Sequence, residues 1–254
     1  MTRCVANMVL PAQVKMNEPL RLGSNEVHVW WADLDANVSR YAGLRHILAA
    51  DERARADRYR FQQDRQRYTV GRGLLRTILG GYLGMEPGYL RFRYSPFGKP
   101  ALVPAPGGDT LNFNVSHADG LALFAITRHR QIGVDVERIR TDFVCEPVAE
   151  HFFSARERAA LRAVPPEMKY MAFFACWTRK EAYVKARGEG LSLPLDQFDV
   201  SLIPGEPAIT LNASGAPEEA SRWLLHELRP APGYIAALAA EGRDWRLHCR
   251  QWLE

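Results

Sequence analysis

The chain is short of cysteine. Its four, Cys4, Cys145, Cys176 and Cys249, are spread through 254 residues with no Cys-x-x-Cys pair. That spacing argues against a disulfide scaffold or a dithiol metal site and fits buried free thiols in a reducing compartment. It also lacks any uninterrupted apolar run near the ~18–20 residues a bilayer span needs, which removes a transmembrane helix. Met1 to Val14 holds one Arg and a mixed apolar stretch broken by Asn7 and Pro11, unlike a secretory h-region. Residues 1–25 read as a loose tail, and the expected compartment is the cytoplasm. A strong charge of one sign is missing too. Thirty-three basic residues face 29 acidic ones, for a net +4 that says little about partners. No G-x-S-x-G elbow surrounds Ser116, so a serine-hydrolase reading has no support.

What is present is enough for a good core: 47% hydrophobic and 10% aromatic residues. The length allows one large domain or two of about 125 residues. Residues 26–33 alternate as a strand with Val27, Val29 and Trp31 on one face. A charged helix is expected at 50–61. A longer one is expected at 63–83, where Leu75, Ile78, Leu79, Tyr82 and Leu83 form an apolar stripe ended by Gly84 and Pro87. Loops follow at Tyr94–Pro100 and Pro104–Asp109, then strands at 111–116, 121–126 and 132–137. Ser154-Ala-Arg-Glu157 is a capping box for a helix reaching about Ala163. Pro165 and Pro166 precede a helix over 167–187, which Gly188 and Gly190 stop. Strand-like runs fall at 197–203, 207–212, 222–228, 234–240 and 244–249. Helices alternating with short strands in both parts predict an α+β fold. Three segments are expected: the tail 1–25, an amino-terminal half 26–140 and a carboxy-terminal half 141–254. The halves are faintly alike, and close packing of the two is expected.

Local charge is more telling than the total. Residues 40–76 hold ten Arg, no Lys and four acids, an excess of six positive charges. Arg suits forked contacts with phosphate, although a solvated basic helix face would look the same. In Ile132-Gly-Val-Asp135-Val-Glu137 the two acids share one strand face. Their Cα atoms lie roughly 6.5–7 Å apart, from a rise of about 3.3 Å per residue. Two carboxylates so placed can converge on one hard cation such as Mg²⁺, or stand as a solvent-facing acidic edge. On the helix over 167–187, Trp177, Glu181 and Lys185 recur every four residues on one face. Glu181–Lys185 is also an ordinary surface pair by spacing. The large apolar residues around it mark the helix as mostly buried, where a charge needs a partner or an ion. Asn112-Phe-Asn-Val-Ser116-His117 ends a strand with a hydroxyl and an imidazole, groups suited to an anion or to a turn.

Taken in order, several segments resemble an Sfp-type 4′-phosphopantetheinyl transferase. They are the basic helix with Arg53 and Arg67 through Gly71-Arg-Gly-Leu-Leu-Arg76, then Phe97-Gly-Lys-Pro100, Asn112–His117, Ile132–Glu137, and Trp177-Thr-Arg-Lys-Glu181-Ala-Tyr-Val-Lys185 running into Gly188-Glu-Gly-Leu-Ser192. They cover about residues 50–200. The resemblance implies a fold of two similar α/β halves packed as a pseudo-dimer. It implies transfer of the phosphopantetheine arm of coenzyme A to a serine of an apo acyl or peptidyl carrier protein, with release of adenosine 3′,5′-bisphosphate. By motif, Asp135, Glu137 and Glu181 would hold Mg²⁺, with Mn²⁺ an alternative. Lys185 would meet the phosphate under attack or the leaving group. Ser116 and His117 would face the 3′-phosphate, and Lys99 and Arg53 the other nucleotide phosphates. Glu52 departs from the pattern, since some members carry a cation there.

The carrier supplies the nucleophile, so this chain needs only a base for the serine proton. Glu181 is the choice, directly or through a metal-bound water. The rival within the same residues is a non-catalytic relative that only holds carrier proteins or coenzyme A. The acidic trio argues against it. A nucleic-acid binder built on the Arg-rich helix would show a steep salt dependence and no need for Asp135 or Glu181. No helix-turn-helix or RNA-binding signature is present. The expected partners are therefore coenzyme A and a carrier protein, with no nucleic acid or membrane, and the chain is expected to be a monomer.

Overall fold

A computed structural model describes residues 12–13, 20–104, 110–203, 210–213 and 217–253. Most of the expected tail, the loop at 105–109 and residues 207–209 of the expected strand at 207–212 lie outside the described residues. The fold is α+β, and the chain divides into two compact units that interleave in sequence.

The amino-terminal unit takes in the described part of Pro11–Phe113, together with His117–His129 and Arg246–Glu254. Its elements are β1 (Ala12–Gln13), β2 (Glu26–Asp33), α1 (Tyr41–His46), α2 (Ala50–Asp57), α3 (Gln62–Leu83), β3 (Phe92–Tyr94), β4 (Pro100–Leu102), most of β5 (Leu111–Ala118) and β6 (Leu121–Arg128). The last strand of the chain, Arg246–Gln251, also belongs here and is numbered β12 below. The five-stranded sheet runs β1-β12-β2-β6-β5. The charged helix read as 50–61 ends at Asp57, and a new helix starts at Gln62. Gly84, at φ +62°, closes that helix by donating its N–H to Gly80 O. Val27 and Val29 are buried as the alternation requires, but so are His28 and Trp30 on the other face. Tyr82 of α3 reaches that second face, where its hydroxyl lies 2.6 Å from His28 Nδ1.

The carboxy-terminal unit takes in Asn114–Ser116 and Arg130–Trp245. It contains β7 (Ile132–Arg138), α4 (Glu146–Phe152), α5 (Ala155–Ala163), α6 (Lys169–Arg187), β8 (Phe198–Val200), β9 (Thr210–Ala213), α7 (Pro217–Arg222), β10 (Trp223–Leu228) and β11 (Tyr234–Glu241). Its main sheet is antiparallel, in the order β10-β11-β7. Ser154 caps α5, with its hydroxyl accepting from Glu157 N–H while the Glu157 carboxylate accepts from Ser154 N–H. α6 lies along the sheet. Phe173, Phe174, Tyr183 and Val184 join its core, which includes Phe153, Ala237 and Ala239. Gly188, at φ +74°, ends α6 in the left-handed region that favours glycine.

α6 also buries two cations. Lys180 is fully enclosed and pairs with Glu157 at 2.8 Å while donating to Leu195 O and Phe198 O, each at 2.6 Å. Arg179 donates to Ser201 O and to Glu227. These two are interior struts, as buried charges must be when they have no ion.

Candidate active site

The geometry begins with a missing side chain. A Cβ on Gly133 would stand 2.1 Å from Ala182 O and 2.3 Å from Ala186 N, so only glycine lets α6 sit this close to β7. Opposite Gly133 and Asp135 on β11 are Ala239 and Ala237, again small. The face of β7 carrying Gly133, Asp135 and Glu137 therefore lies under the helix and is not a solvated acidic edge. Asp135 is 4% exposed.

Between Ala172 and Ala186 the stripe Trp177, Glu181, Lys185 is the part of α6 left half-buried, while its neighbours along the helix are buried. From it Lys185 Nζ donates to Asp135 Oδ1 at 2.7 Å and to Ser116 Oγ at 3.0 Å. Ser116 Oγ in turn donates to Asp135 Oδ1 at 2.9 Å. On the β7 edge away from β11, Val134 N–H donates to Asn114 Oδ1 at 2.8 Å and Val136 N–H meets Ser116 Oγ at 3.4 Å. Two side chains of Asn114-Val-Ser116 thus stand in for a neighbouring strand. Asn114 was not singled out from the sequence. Its signal was the alternation of Asn112, Asn114 and Ser116 on one strand face.

The electrostatics are unbalanced. Burial raises the Asp135 carboxyl above its ordinary value, against the pull of Lys185 and Ser116. Burial, then Asp135, pushes Glu137 up to about 7, although Lys185, Arg140 and the Trp177 indole oppose it. Burial and Asp135 also raise Glu181. Three carboxylates press on one another with a single ammonium among them, and Asp135 Oδ2 is buried without a hydrogen-bond partner. An orphaned carboxylate oxygen among other carboxylates suits an oxygen-seeking divalent cation. The trio is looser than a preformed cage: among the described residues, three ligand atoms fall within 4.8 Å of one another only at Glu26, His28 and His248.

Ser116, Asp135, Glu137, Glu181 and Lys185 all belong to the carboxy-terminal unit. Arg53, Lys99 and His117 belong to the amino-terminal one. Arg53 donates to Leu48 O. Lys99 lies in the turn Ser95–Lys99, where Gly98 takes φ +81° and Ser95 N–H donates to Lys99 O at 2.9 Å. Desolvation pushes the Lys99 ammonium down to about 8. His117 is exposed where Ser116 is buried, as neighbours on a strand should be.

Much of the Arg-rich segment is committed internally. Arg72 and Arg76 both donate to the buried Glu52, Arg67 pairs with Asp35 at 2.6 Å, and Arg45 pairs with Asp57 at 3.0 Å. The residue that broke the family pattern, Glu52, is the internal counter-ion of two of those arginines.

The model of the 4′-phosphopantetheinyl transferase superfamily matches residues 131–239, and that of the 4′-phosphopantetheinyl transferase N-terminal region matches 32–129. The chain is 44% identical to the 4′-phosphopantetheinyl transferase HetI of Nostoc sp., over 89% of this chain and 92% of that protein. It is 28% identical to the 4′-phosphopantetheinyl transferase Sfp of Bacillus subtilis, over 78% and 84% of the two chains. With β7 and α6 inside the first matched segment and the Arg-rich helices inside the second, the chain belongs to the 4′-phosphopantetheinyl transferase superfamily.

Proposed function

We propose that this chain transfers the 4′-phosphopantetheine arm of coenzyme A to a serine of an apo acyl or peptidyl carrier protein and releases adenosine 3′,5′-bisphosphate. The observation that carries the site is the bare, buried Asp135 Oδ2 beside Glu137 and Glu181, with Lys185 fixed on the other Asp135 oxygen. Asp135, Glu137 and Glu181 would hold Mg²⁺, for which Mn²⁺ can substitute. Bound there, the ion neutralises pyrophosphate charge and makes the bisphosphate a better leaving group.

In the transfer, the carrier serine oxygen bonds to the phosphorus that bears the pantetheine arm. The bond from that phosphorus to the bridging oxygen breaks, and the electron pair leaves with the bisphosphate. Glu181 takes the serine proton, directly or through a water. Lys185 supplies positive charge where the departing oxygen gains negative charge. Ser116 orients Lys185 and Asp135 by its hydrogen bonds to both. The enzyme acts as a monomer in the cytoplasm. Among the described residues no helix is long and apolar enough to cross a membrane.

Incubation with coenzyme A, Mg²⁺ and an apo carrier protein tests the reading directly. The carrier should gain the mass of the arm, and Asp135→Ala or Glu181→Ala should abolish that gain. Full turnover in both variants would refute the site.

A further inference from the structure

The amino-terminal unit gathers a second set of metal-type donors, built from strands more than two hundred residues apart in sequence. β2 and β12 pair in parallel, with His28 directly opposite His248. Glu26 lies two residues before His28 and so shares its face. Glu26 Oε2 is 3.3 Å from His28 Nε2, and Glu26 Oε1 is 3.7 Å from His248 Nε2. One ligand atom from each of the three lies within 4.8 Å of the others.

The surroundings hold these groups in place. His28 is 1% exposed, and its Nε2 is buried without a hydrogen-bond partner. Its other ring nitrogen, Nδ1, is engaged by Tyr82 Oη at 2.6 Å, and Trp30 Nε1–H donates to the same oxygen at 2.9 Å. Gly23 N–H donates to Glu26 Oε2 at 2.8 Å. Metal-binding histidines characteristically have the second ring nitrogen fixed in this way by an outer partner. His248 is exposed, with 44% of its side chain open to solvent, which leaves a path for an ion. Arg250, on the same face of β12 as His248, adds positive charge near His28.

We infer that Glu26, His28 and His248 form a binding site for one borderline divalent transition-metal ion. Two imidazoles and a carboxylate are the donor set such ions take, leaving a further position for water. A hard ion such as Mg²⁺ prefers the all-oxygen set around Asp135 instead, so the two sites differ in the ion they select. Bound metal would tie the final strand to β2.

Zn²⁺ titrated into the chelator-stripped full chain tests this by calorimetry and by the melting temperature, with Co²⁺ as a spectroscopic probe of nitrogen ligation. One equivalent should bind and raise the melting temperature. His248→Ala, at an exposed position that leaves the fold intact, should weaken Zn²⁺ by more than the about tenfold expected of Tyr82→Phe, which removes only the outer partner. Asp135→Ala should leave the Zn²⁺ affinity unchanged. Absence of binding, equal affinity in His248→Ala, or loss of the Zn²⁺ site in Asp135→Ala would each overturn the assignment.

Discussion

Glu52 and Asp135 are both carboxylates sunk beside cations, and they are held in opposite ways. Glu52 has every oxygen saturated: Oε1 accepts from Arg72, and Oε2 from Arg76 at 2.7 Å and Ala49 N–H at 2.8 Å. Burial pushes its pKa up, but Arg76, Arg72 and the backbone donor together outweigh burial and bring it below the ordinary value. Asp135 has both donors crowded on Oδ1, a bare Oδ2 and a raised pKa. A saturated carboxylate is a strut, while one left short of partners among like charges is a ligand in search of a cation.

The contrast breaks first at Asp135. Asp135→Asn keeps the shape and removes the charge, so transfer to the carrier should be lost while the urea midpoint is unchanged or higher. A large fall in stability would make Asp135 a strut after all. Glu52→Ala should do the reverse. It strands Arg76, which is 1% exposed, and should cost about 3–5 kcal/mol in urea unfolding, as breaking a buried pair does. The sign with pH follows from the lowered pKa. The Glu52 contribution is complete above its ordinary value of 4.5 and is lost as the pH falls through its lower folded value. In Glu52→Gln that acid dependence should flatten.

Gly133→Ala sharpens the comparison by moving the helix without touching a charge. The added methyl meets α6 backbone, so about 1–3 kcal/mol of stability should go, with activity lost beyond that. Full activity would mean that α6 need not hold its distance from β7. The smallest effect is at Lys99. Its ammonium loses its proton as pH rises through about 8, so affinity for adenosine 3′,5′-bisphosphate should drop about tenfold across about pH 7–9. Lys99→Met should bind more weakly with no such slope, measured by calorimetry.

The sequence carried the elements that depend on local pattern. The strand 26–33, the capping box at Ser154 and the glycine stops after both long helices are written in adjacent residues. So is the stripe Trp177–Glu181–Lys185, because a period of four fixes which side chains share a face. What it did not carry depends on contacts between distant segments. Gly133 reads as one more motif residue until α6 is laid against it. Arg179 and Lys180 sit beside Glu181 and look equally available, yet both are consumed by carbonyls and by Glu227 and Glu157. The ten arginines over residues 40–76 look free for phosphate, but Glu52, Asp35 and Asp57 pair with four of them. Nothing in the order of residues brings His248 to His28. That meeting is a consequence of strand register.

The position of β12 between β1 and β2 bears on how this protein is born. An interior strand of this sheet is supplied by residues 246–251, so on the ribosome the sheet waits with a gap until those residues emerge. Synthesis that stalls short of those codons would release a product in which β2 lacks its parallel neighbour and β1 has no strand to join.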